Sequence, residues 1–287
     1  MAVDKLVDST QLDADLTSVA NAIRTKGGTS AQMAFPNGFV SAVQAIPTGG
    51  GYTLNDVVES NFGTGKITYN GTHLKPFMFY ESDISEFESD TVEYLYGDGM
   101  NSGQGTFMNC TKITRISMPN LIGTGAGGYQ FAGCTSLIDL HVPNASVGQH
   151  FIDGCTSLET FVSIRELASS NGSDFANCTA LKTVDLNMNR LTTLCFSNDV
   201  ALTKLIMRRS TAIATLQNIN VFNNTPFASG KSGGTLYVPQ ALIASYQAAT
   251  NWSTILGYPN NQILSIEGSI YETKYADGTP ITQGGTT

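Results

Sequence analysis

A short motif recurs along the middle of the chain and limits the folds that the chain can adopt. The copies share the template F-x-x-C-T-x-L-x-x-L with some substitutions, and the fourth position holds Cys110, Cys134, Cys155, Cys178 and Asp199. Successive copies are therefore 24, 21, 23 and 21 residues apart. A period of about 20–29 residues with this apolar skeleton predicts a solenoid, in which each turn buries its apolar face only against its neighbours.

Five segments carry the motif, and two further segments match it more weakly. The five are FMNCTKITRISMP (107–119), FAGCTSLIDLHVP (131–143), IDGCTSLETFVSI (152–164), FANCTALKTVDLN (175–187) and FSNDVALTKLIMR (196–208). The weaker copies are FMFYESDISEFES (77–89), with Ile84 and Phe87 in the two apolar places, and GGTLYVPQAL (233–242).

The cysteines are predicted to be scaffolding, because one falls in each turn. Stacked turns place like residues over one another, so Cys110, Cys134, Cys155 and Cys178 should form a buried structural ladder. Thiolate metal sites instead use close pairs such as C-x-x-C. We call the position of the cysteine in each turn the slot. Asp199 indicates that the slot also accepts a polar side chain that bonds to the backbone of the turn. Cys195, beside Phe196, is predicted to lie in the core.

The repeats resemble the BspA-like leucine-rich repeat family, as does the segment GGTLYVPQALIASYQAATNWSTI that follows them. The resemblance covers roughly residues 74–268. It implies an interaction surface, often at a cell or particle surface, and no catalysis. The predicted fold class is mainly β with some α: a leucine-rich-repeat solenoid preceded by a small N-terminal helical hairpin.

Residues 1–47 are predicted to be that hairpin. Apolar residues spaced by four, three and four positions indicate one face of a helix that ends at Lys26–Gly28. A second short helix follows the turn in FPNGFVSAVQAI. A hairpin this small has little core of its own, so it should dock or oligomerise. Its candidate anchor face comprises Leu12, Leu16, Val19, Ile23, Phe35 and Phe39.

The hairpin resembles the N-terminal module of tail and baseplate-associated structural proteins of phages and prophages of Gram-positive bacteria. The matching stretches are LDADLTSVANAIRTKGGT and FPNGFVSAVQAI. The resemblance implies attachment or assembly within a virion, with other virion proteins as partners. The start of the chain has no apolar core of a secretory signal, which agrees with assembly in the cytoplasm of a bacterial host.

The remaining segments complete the expected organisation. Residues 48–52 are predicted to be a glycine-rich linker, 53–73 to be short strands that cap the array, and 74–268 to be the solenoid with its C-terminal cap. Residues 269–287 form a C-terminal tail, where Asp277–Gly278 indicates a turn.

Composition excludes several classes of partner. The chain has 15 Lys and Arg residues among 287, without a basic run, and a net charge of −8, so no nucleic-acid partner is expected. No apolar stretch approaches the roughly 18 residues of a membrane span, so no membrane insertion is expected. The three histidines, His73, His141 and His150, offer no full ligand set, and we expect neither metal nor cofactor.

We expect a virion structural protein of the tail, baseplate or fibre type, without enzymatic activity. It would anchor through 1–47 as a homo-oligomer, such as a trimer, and present the solenoid to a host cell-surface protein or glycan. Candidate surface contacts are Tyr129, His141, His150, Arg208 and Arg209.

Three alternatives stay open. The chain could be a structural decoration without a receptor, such as a head fibre. It could be a glycan hydrolase that uses the acidic cluster at 81–90, since paired carboxylates cleave glycosidic bonds. A bacterial surface adhesin is also consistent with the repeats.

Overall fold

The computed structural model describes residues 65–75, 77–95, 105–124, 128–167 and 172–281, the backbone of 57–61, and the single positions 17, 20 and 21. The chain divides into two units, Met1–Val58 and Glu59–Thr287. In the first unit the described backbone is helical at Thr17, Ala20 and Asn21. The predicted anchor face and the linker 48–52 lie outside the described residues.

Fourteen strands are present in the described part of the chain. The first seven are β1 (Val57–Asn61), β2 (Lys66–Tyr69), β3 (His73–Leu74), β4 (Glu86–Glu88), β5 (Tyr94–Leu95), β6 (Arg115–Ser117) and β7 (Asp139–His141). The others are β8 (Thr160–Leu167), β9 (Thr183–Met188), β10 (Arg190–Leu191), β11 (Lys204–Met207), β12 (Thr215–Leu216), β13 (Thr235–Val238) and β14 (Gln262–Ser265).

Within the described residues of the second unit, the helices are short and lie towards its C-terminal end. Two α-helices are described there, α1 (Ile243–Ala248) and α2 (Trp252–Leu256). The same described residues include three 3₁₀ helices, which span Ile219–Phe222, Gln240–Leu242 and Ile270–Glu272. Among the described residues, no helix has the length and apolar character needed to cross a bilayer.

Successive turns from β2 onwards each contribute a strand, and the registers of these strands are parallel. One sheet has the order β1-β2-β4-β6-β7, another the order β14-β13-β11-β9-β8, and the pairs β3-β5 and β10-β12 form two small sheets. The register stacks buried inward residues in both large sheets. In the first these are Phe87, Ile116 and Leu140, and in the second Phe161, Val184, Leu205 and Leu236. The predicted mainly β solenoid is confirmed.

A column of phenylalanines runs through the core beside the strands. Phe107 stacks on Phe79 at a ring-centroid distance of 5.1 Å and on Phe131 at 5.6 Å, with interplanar angles of 14° and 17°. The same stacking joins Phe175, Phe196 and Phe222 at 5.2 and 5.6 Å. Aromatic pairs at such distances add attraction beyond the burial of their area. The first position of the motif is therefore the centre of the core.

Each turn reverses through a left-handed residue just before the cysteine position. From the turn of Cys110 onwards this place is filled by asparagine or glycine, with φ of 61° at Asn109, 72° at Gly133, 75° at Gly154, 60° at Asn177, 68° at Asn198 and 57° at Asn224, whereas Glu81 fills it before Ser82 with φ of 53°. Glycine has no Cβ to oppose a positive φ, and asparagine tolerates it better than most residues. The backbone conformation thus explains the N-C and G-C pairs in the repeats.

The two large sheets separate between β7 and β8, although the repeat predicts a continuous array. The adjoining turns stay connected at both ends of this gap. Ser157 Oγ donates to the Thr135 carbonyl at 2.6 Å, and the Ile164 N–H donates to the Pro143 carbonyl at 2.8 Å. In the same turn, Ile152 replaces the motif phenylalanine. Its neighbour Phe151 meets Phe131 edge-on at 87°.

The C-terminal part of the second unit covers the last turn. Trp252 is fully buried, its Nε1–H donates to the Ala214 carbonyl at 2.7 Å, and its ring lies 5.9 Å from that of Phe222. Tyr246 packs edge-on against Trp252, and its hydroxyl accepts from the Ala214 N–H at 2.9 Å. These contacts bury an end that would otherwise expose its apolar face.

Candidate binding surfaces

The cysteine ladder is a row of hydrogen-bonded, buried thiols. Each thiol donates to a carbonyl of the preceding turn: Cys110 to Phe79 at 2.7 Å, Cys134 to Phe107, Cys155 to Phe131, and Cys178 to Ile152. All four side chains are inaccessible to solvent, as is Cys195. Asp199 occupies the same slot, and its Oδ1 accepts from the Cys178 N–H at 2.8 Å, as the sequence indicated.

Two further slots escaped the sequence pattern because they hold no cysteine. Ser82 occupies the slot before Cys110, at 3.5 Å from that sulfur, and Thr225 occupies the slot after Asp199, where its hydroxyl donates to the Phe222 carbonyl. The signal that could have found both is a phenylalanine three positions earlier, Phe79 and Phe222.

The environment of the thiols opposes chemical reactivity. Burial raises the pKa of Cys155 and of Cys178, and a thiol that stays protonated is a poor nucleophile and a poor metal ligand. In the described part of the chain, no three His, Cys, Asp or Glu side chains come together in a group that could hold a metal ion.

The outward face of the first sheet carries a row of alternating charges. Lys66 Nζ lies 3.2 Å from Glu88 Oε2, Arg115 Nη1 lies 3.2 Å from the same oxygen, and Arg115 Nε lies 3.1 Å from Asp139 Oδ2. These side chains occupy β2, β4, β6 and β7 and are between a third and a little over half exposed. The row ends at His141, next to Asp139 on the outward face of β7.

Two carboxylates of the acidic cluster at 81–90, Glu86 and Glu88, pair with this row. Hydrogen bonding from Lys66, together with that from Thr68 and Arg115, lowers the pKa of Glu88. Asp83 forms a separate pair with Lys112 at 2.9 Å. A glycosidase needs one carboxyl whose pKa is raised so that it can donate a proton. The environment of Glu88 acts in the opposite direction and does not favour hydrolysis.

The gap between β7 and β8 opens into a recess of about 280 Å³. Its walls are the facing strands, and the tip of the C-terminal turn, Ala276 and Asp277, lies at its rim. On β7, Asp139 donates its N–H to the Thr114 carbonyl of the preceding turn. Alternation then directs the peptide groups of Leu140 towards the recess. The recess therefore presents backbone N–H and C=O groups beside the charged row.

A second polar row runs along the turns. Asn177 Nδ2 donates to Asp153 Oδ1 at 2.7 Å, Asn198 Nδ2 to Asn177 Oδ1 at 2.9 Å, and Asn224 Nδ2 to Asn198 Oδ1 at 3.2 Å. Lys231 Nζ completes the row by donating to Asn224 Oδ1 at 3.0 Å. We call Asp153, Asn177, Asn198, Asn224 and Lys231 the amide row. In every hydrogen bond of this row, the donor lies on the later residue and the acceptor on the earlier one. The carboxylate of Asp153 at one end and the ammonium group of Lys231 at the other therefore strengthen the common alignment of the amide dipoles.

Two of the predicted surface contacts meet near the acidic end of the amide row. The rings of Tyr129 and His150 stack at 4.3 Å, and His150 Nδ1 lies 2.6 Å from Asp153 Oδ2. Both rings are half-buried. His141 lies in strand β7, so the structure places it on the strand surface and places His150 in the turns.

The prediction that Arg208 is an exposed surface contact is wrong. Its side chain is only 13% exposed and forms a two-point pair with Asp185, with Nε–Oδ1 at 2.6 Å and Nη2–Oδ2 at 2.7 Å. Burial raises the pKa of Asp185, and the hydrogen bonds from Arg208 oppose that shift. Arg209 is also mostly buried, and its Nε lies 3.6 Å from Glu166 Oε1.

The Asp185–Arg208 pair holds the C-terminal segment against the second sheet. Arg208 donates to the carbonyls of Tyr271 and Lys274, both at 2.9 Å, and its guanidinium lies 4.7 Å from the centre of the Tyr275 ring. Asp185 Oδ2 also accepts from the Ala276 N–H at 3.0 Å. The outward surface of β9 and β11 is therefore covered here, whereas the charged row of the first sheet is open.

A second recess, of about 310 Å³, lies at the cationic end of the amide row. It is lined by Ile219, Asn220, Asn223, Asn224, Ala228, Ser229, Lys231, Ile255 and Tyr258. The sequence offered no sign of it, because its residues come from three separate segments of the chain.

Comparison with known proteins agrees with the geometry of the repeats. The family model of the BspA type leucine rich repeat region matches residues 100–227 in six copies. A solved leucine-rich repeat protein from Bacteroides ovatus ATCC 8483 shows 15% sequence identity and a TM-score of 0.35. That alignment covers 66% of this chain and 61% of the other. No curated protein sequence matches the chain.

The family match and the observed turns coincide. The matched residues contain the four ladder cysteines, the stacked phenylalanines from Phe107 to Phe222 and most of the amide row. Residues 100–227, the matched part of the chain, therefore resemble a BspA type leucine rich repeat region.

Proposed function

We propose that this chain is a binding protein of a virion, of the tail, baseplate or fibre type. Its N-terminal module attaches to other virion proteins, and its solenoid adheres to a protein or glycan on the host cell surface. The particle is assembled in the cytoplasm of the bacterial host. The protein acts without catalysis, metal or cofactor, and without nucleic-acid binding or membrane insertion.

The observation that carries the adhesive part of this proposal is the open charged row beside the recess between β7 and β8. Charged side chains there are held in place by neighbours on adjacent turns, as in the Arg115–Asp139 pair at 3.1 Å. Prearranged charges favour complementary partners and speed their association. Several copies on one particle would convert weak individual contacts into strong attachment.

The virion assignment rests on the resemblance of residues 1–47 to tail-associated modules. A short apolar helix face is suited to docking or to a homo-oligomer such as a trimer. Attachment through this module would leave the solenoid free to reach the cell.

The test measures attachment of the purified chain to isolated phage particles and to intact Gram-positive cells. We expect the full chain to bind both, and a chain lacking residues 1–51 to bind cells but not particles. The variant carrying Asp139→Ala and His141→Ala should lose cell binding. Lys112→Ala, which changes an exposed lysine of a turn, is the matched control and should retain it.

The alternatives give different results. Particle binding without attachment to any cell would indicate a structural decoration such as a head fibre. Release of reducing sugars from cell-wall glycans, lost in Glu86→Gln or Glu88→Gln, would indicate a hydrolase. Cell binding without particle binding would favour a bacterial surface adhesin.

A further inference from the structure

The recess at the end of the amide row has the hydrogen-bonding chemistry of a sugar site. Three amides, those of Asn220, Asn223 and Asn224, line it together with the Ser229 hydroxyl. A primary amide both donates and accepts, as does each hydroxyl of a sugar, so the two match in either direction. Its volume of about 310 Å³ lies at the lower end of the range for small-molecule sites, about 300–1,000 Å³.

The recess also offers apolar surface. Ile219 is 40% exposed there, and the ring of Tyr258 and the buried Ile255 lie beside it. The C–H faces of a pyranose ring can cover such surface while its hydroxyls reach the amides. A bare inorganic ion would leave this apolar wall uncovered.

The charge of the recess is opposite to that of the chain. Lys231 is the single ionisable cation among the nine lining residues, and none of the nine is a carboxylate, although the whole chain carries a net charge of −8. One hydrogen bond from its ammonium group goes to Asn224 Oδ1 at 3.0 Å. An ammonium group has three donors, so two are left for a ligand.

The amide row extends the recess along the solenoid. Asn224, Asn198 and Asn177 are exposed and lie on successive turns. Turns of a parallel sheet are about 4.8 Å apart. Each amide uses one N–H within the row, which leaves its second N–H for a ligand. A linear glycan held at the recess could therefore add contacts turn by turn.

From these features we propose that the recess binds an acidic saccharide, a sugar ring that carries a carboxylate or a phosphate. Lys231 pairs with the acidic group, the asparagines hold the hydroxyls, and Ile219 and Tyr258 contact the ring. This inference rests on the proposed binding function and specifies its ligand, but it uses a different surface from the charged row.

The experiment titrates the full chain with three sugars at low ionic strength and follows binding by calorimetry and ligand-observed NMR. The sugars are D-glucuronate, D-glucose 6-phosphate and methyl α-D-glucoside, and inorganic phosphate is titrated separately. We expect the acidic sugars to bind about tenfold more tightly than the glucoside, because a charge-assisted hydrogen bond is stronger than a neutral one. The stronger of the two acidic sugars identifies the acidic group.

Two variants test the residues. Lys231→Met should weaken binding of the acidic sugar about tenfold or more and leave binding of the glucoside unchanged. Asn224→Gly removes the amide but suits the positive φ of 57°, and it should weaken binding of all three sugars. Lys204→Met, which changes an exposed lysine on β11, is the control and should bind like the parent chain.

The proposal is wrong if no sugar binds, if Lys231→Met binds glucuronate as tightly as the parent, or if inorganic phosphate binds as well as the sugar phosphate. These results can appear while the chain still attaches to cells and loses that attachment with Asp139→Ala and His141→Ala. In that case the proposed sugar site is wrong and the proposed function is retained. If the chain binds the sugars but attaches to neither cells nor particles, the proposed function is wrong and the sugar site is retained.

Discussion

At the scale of single residues, the slot before each strand accepts four side-chain types. Cysteine fills it in four turns, and Ser82, Asp199 and Thr225 fill it in others. Each is small and can bond to a nearby backbone group. The role of the cysteines was predictable because their spacing equals the repeat. The hydroxyl residues Ser82 and Thr225 give no periodic signal of their own, so their slots could be found only from Phe79 and Phe222, three positions earlier.

The buried thiols should be unreactive in the folded protein. All five cysteines have no accessible surface, and burial raises the pKa of Cys155, so a disulfide reagent can reach them only when the chain opens. We expect almost no labelling at neutral pH and five labelled thiols in denaturant. Rapid labelling of the folded chain at several cysteines would contradict the ladder.

Asp199 should make stability depend on pH. Burial raises the pKa of Asp199, and its Oδ2 lacks a hydrogen-bond partner. In the unfolded chain a carboxyl titrates near about 4. Between that pH and the folded pKa, the folded state binds more protons, so stability falls as pH rises.

The variant Asp199→Asn removes this titration and keeps an oxygen for the Cys178 N–H. It should exceed the parent in free energy of unfolding at about pH 8, and the difference should shrink towards about pH 4. Urea denaturation across this range measures it, with the exposed Asp90→Asn as control. A difference that stays constant with pH would contradict the assignment.

At the scale of elements, the inward positions of the strands were predictable and the break between the sheets was not. The apolar residues of each copy recur at fixed distances from the cysteine, so Ile116, Leu140 and Val184 could be placed in the core from the motif alone. In the turn after the gap between β7 and β8, Phe151 meets Phe131 edge-on, whereas Phe107 stacks on Phe131 almost face to face. Packing of this kind has no counterpart in a linear pattern.

The phenylalanine column should carry much of the stability of the turns. Phe131 has no accessible surface and contacts Phe107 and Phe151. Phe131→Ala should lower the free energy of unfolding by about 3–5 kcal/mol, measured by urea denaturation. Ile138→Ala, at a side chain 64% exposed, is the apolar control and should cost little. Equal losses in both variants would contradict a role for the column.

The Asp185–Arg208 pair should hold the C-terminal segment in place. Arg208→Met leaves the buried Asp185 without its partner, which should cost about 3–5 kcal/mol, and it removes the donors to the carbonyls of Tyr271 and Lys274. We expect faster trypsin cleavage after Lys274, followed by mass spectrometry. Arg190→Met, at an exposed position on β10, should leave the cleavage rate unchanged.

At the scale of the whole molecule, the repeat period predicted the solenoid but not which of its surfaces are open. The C-terminal segment covers part of the second sheet through contacts such as Ala276–Asp185, between residues 91 positions apart in the chain. The amide row could have been suspected from the asparagines before Cys110 and Cys178, yet its continuation through Asn198 and Asn224 depends on the stacking of the turns.

The C-terminal cap should be necessary for a soluble solenoid. A chain that ends at residue 233 loses Trp252 and Tyr246 and exposes the stacked rings of Phe222 and Phe227. Solenoids with an uncovered apolar end aggregate, so we expect this chain to elute as large aggregates in size-exclusion chromatography. A monodisperse, folded product would show that the last turn needs no cap.

The gap between β7 and β8 has a mechanical consequence. A pulling force applied at opposite ends of the solenoid passes through every turn in series. Paired strands resist such a force together through their shared hydrogen bonds, whereas the two turns around the gap are joined by fewer, such as Ile164 to Pro143 and Ser157 to Thr135. An adhesive protein under load would therefore rupture first at this point, as two blocks that each remain intact.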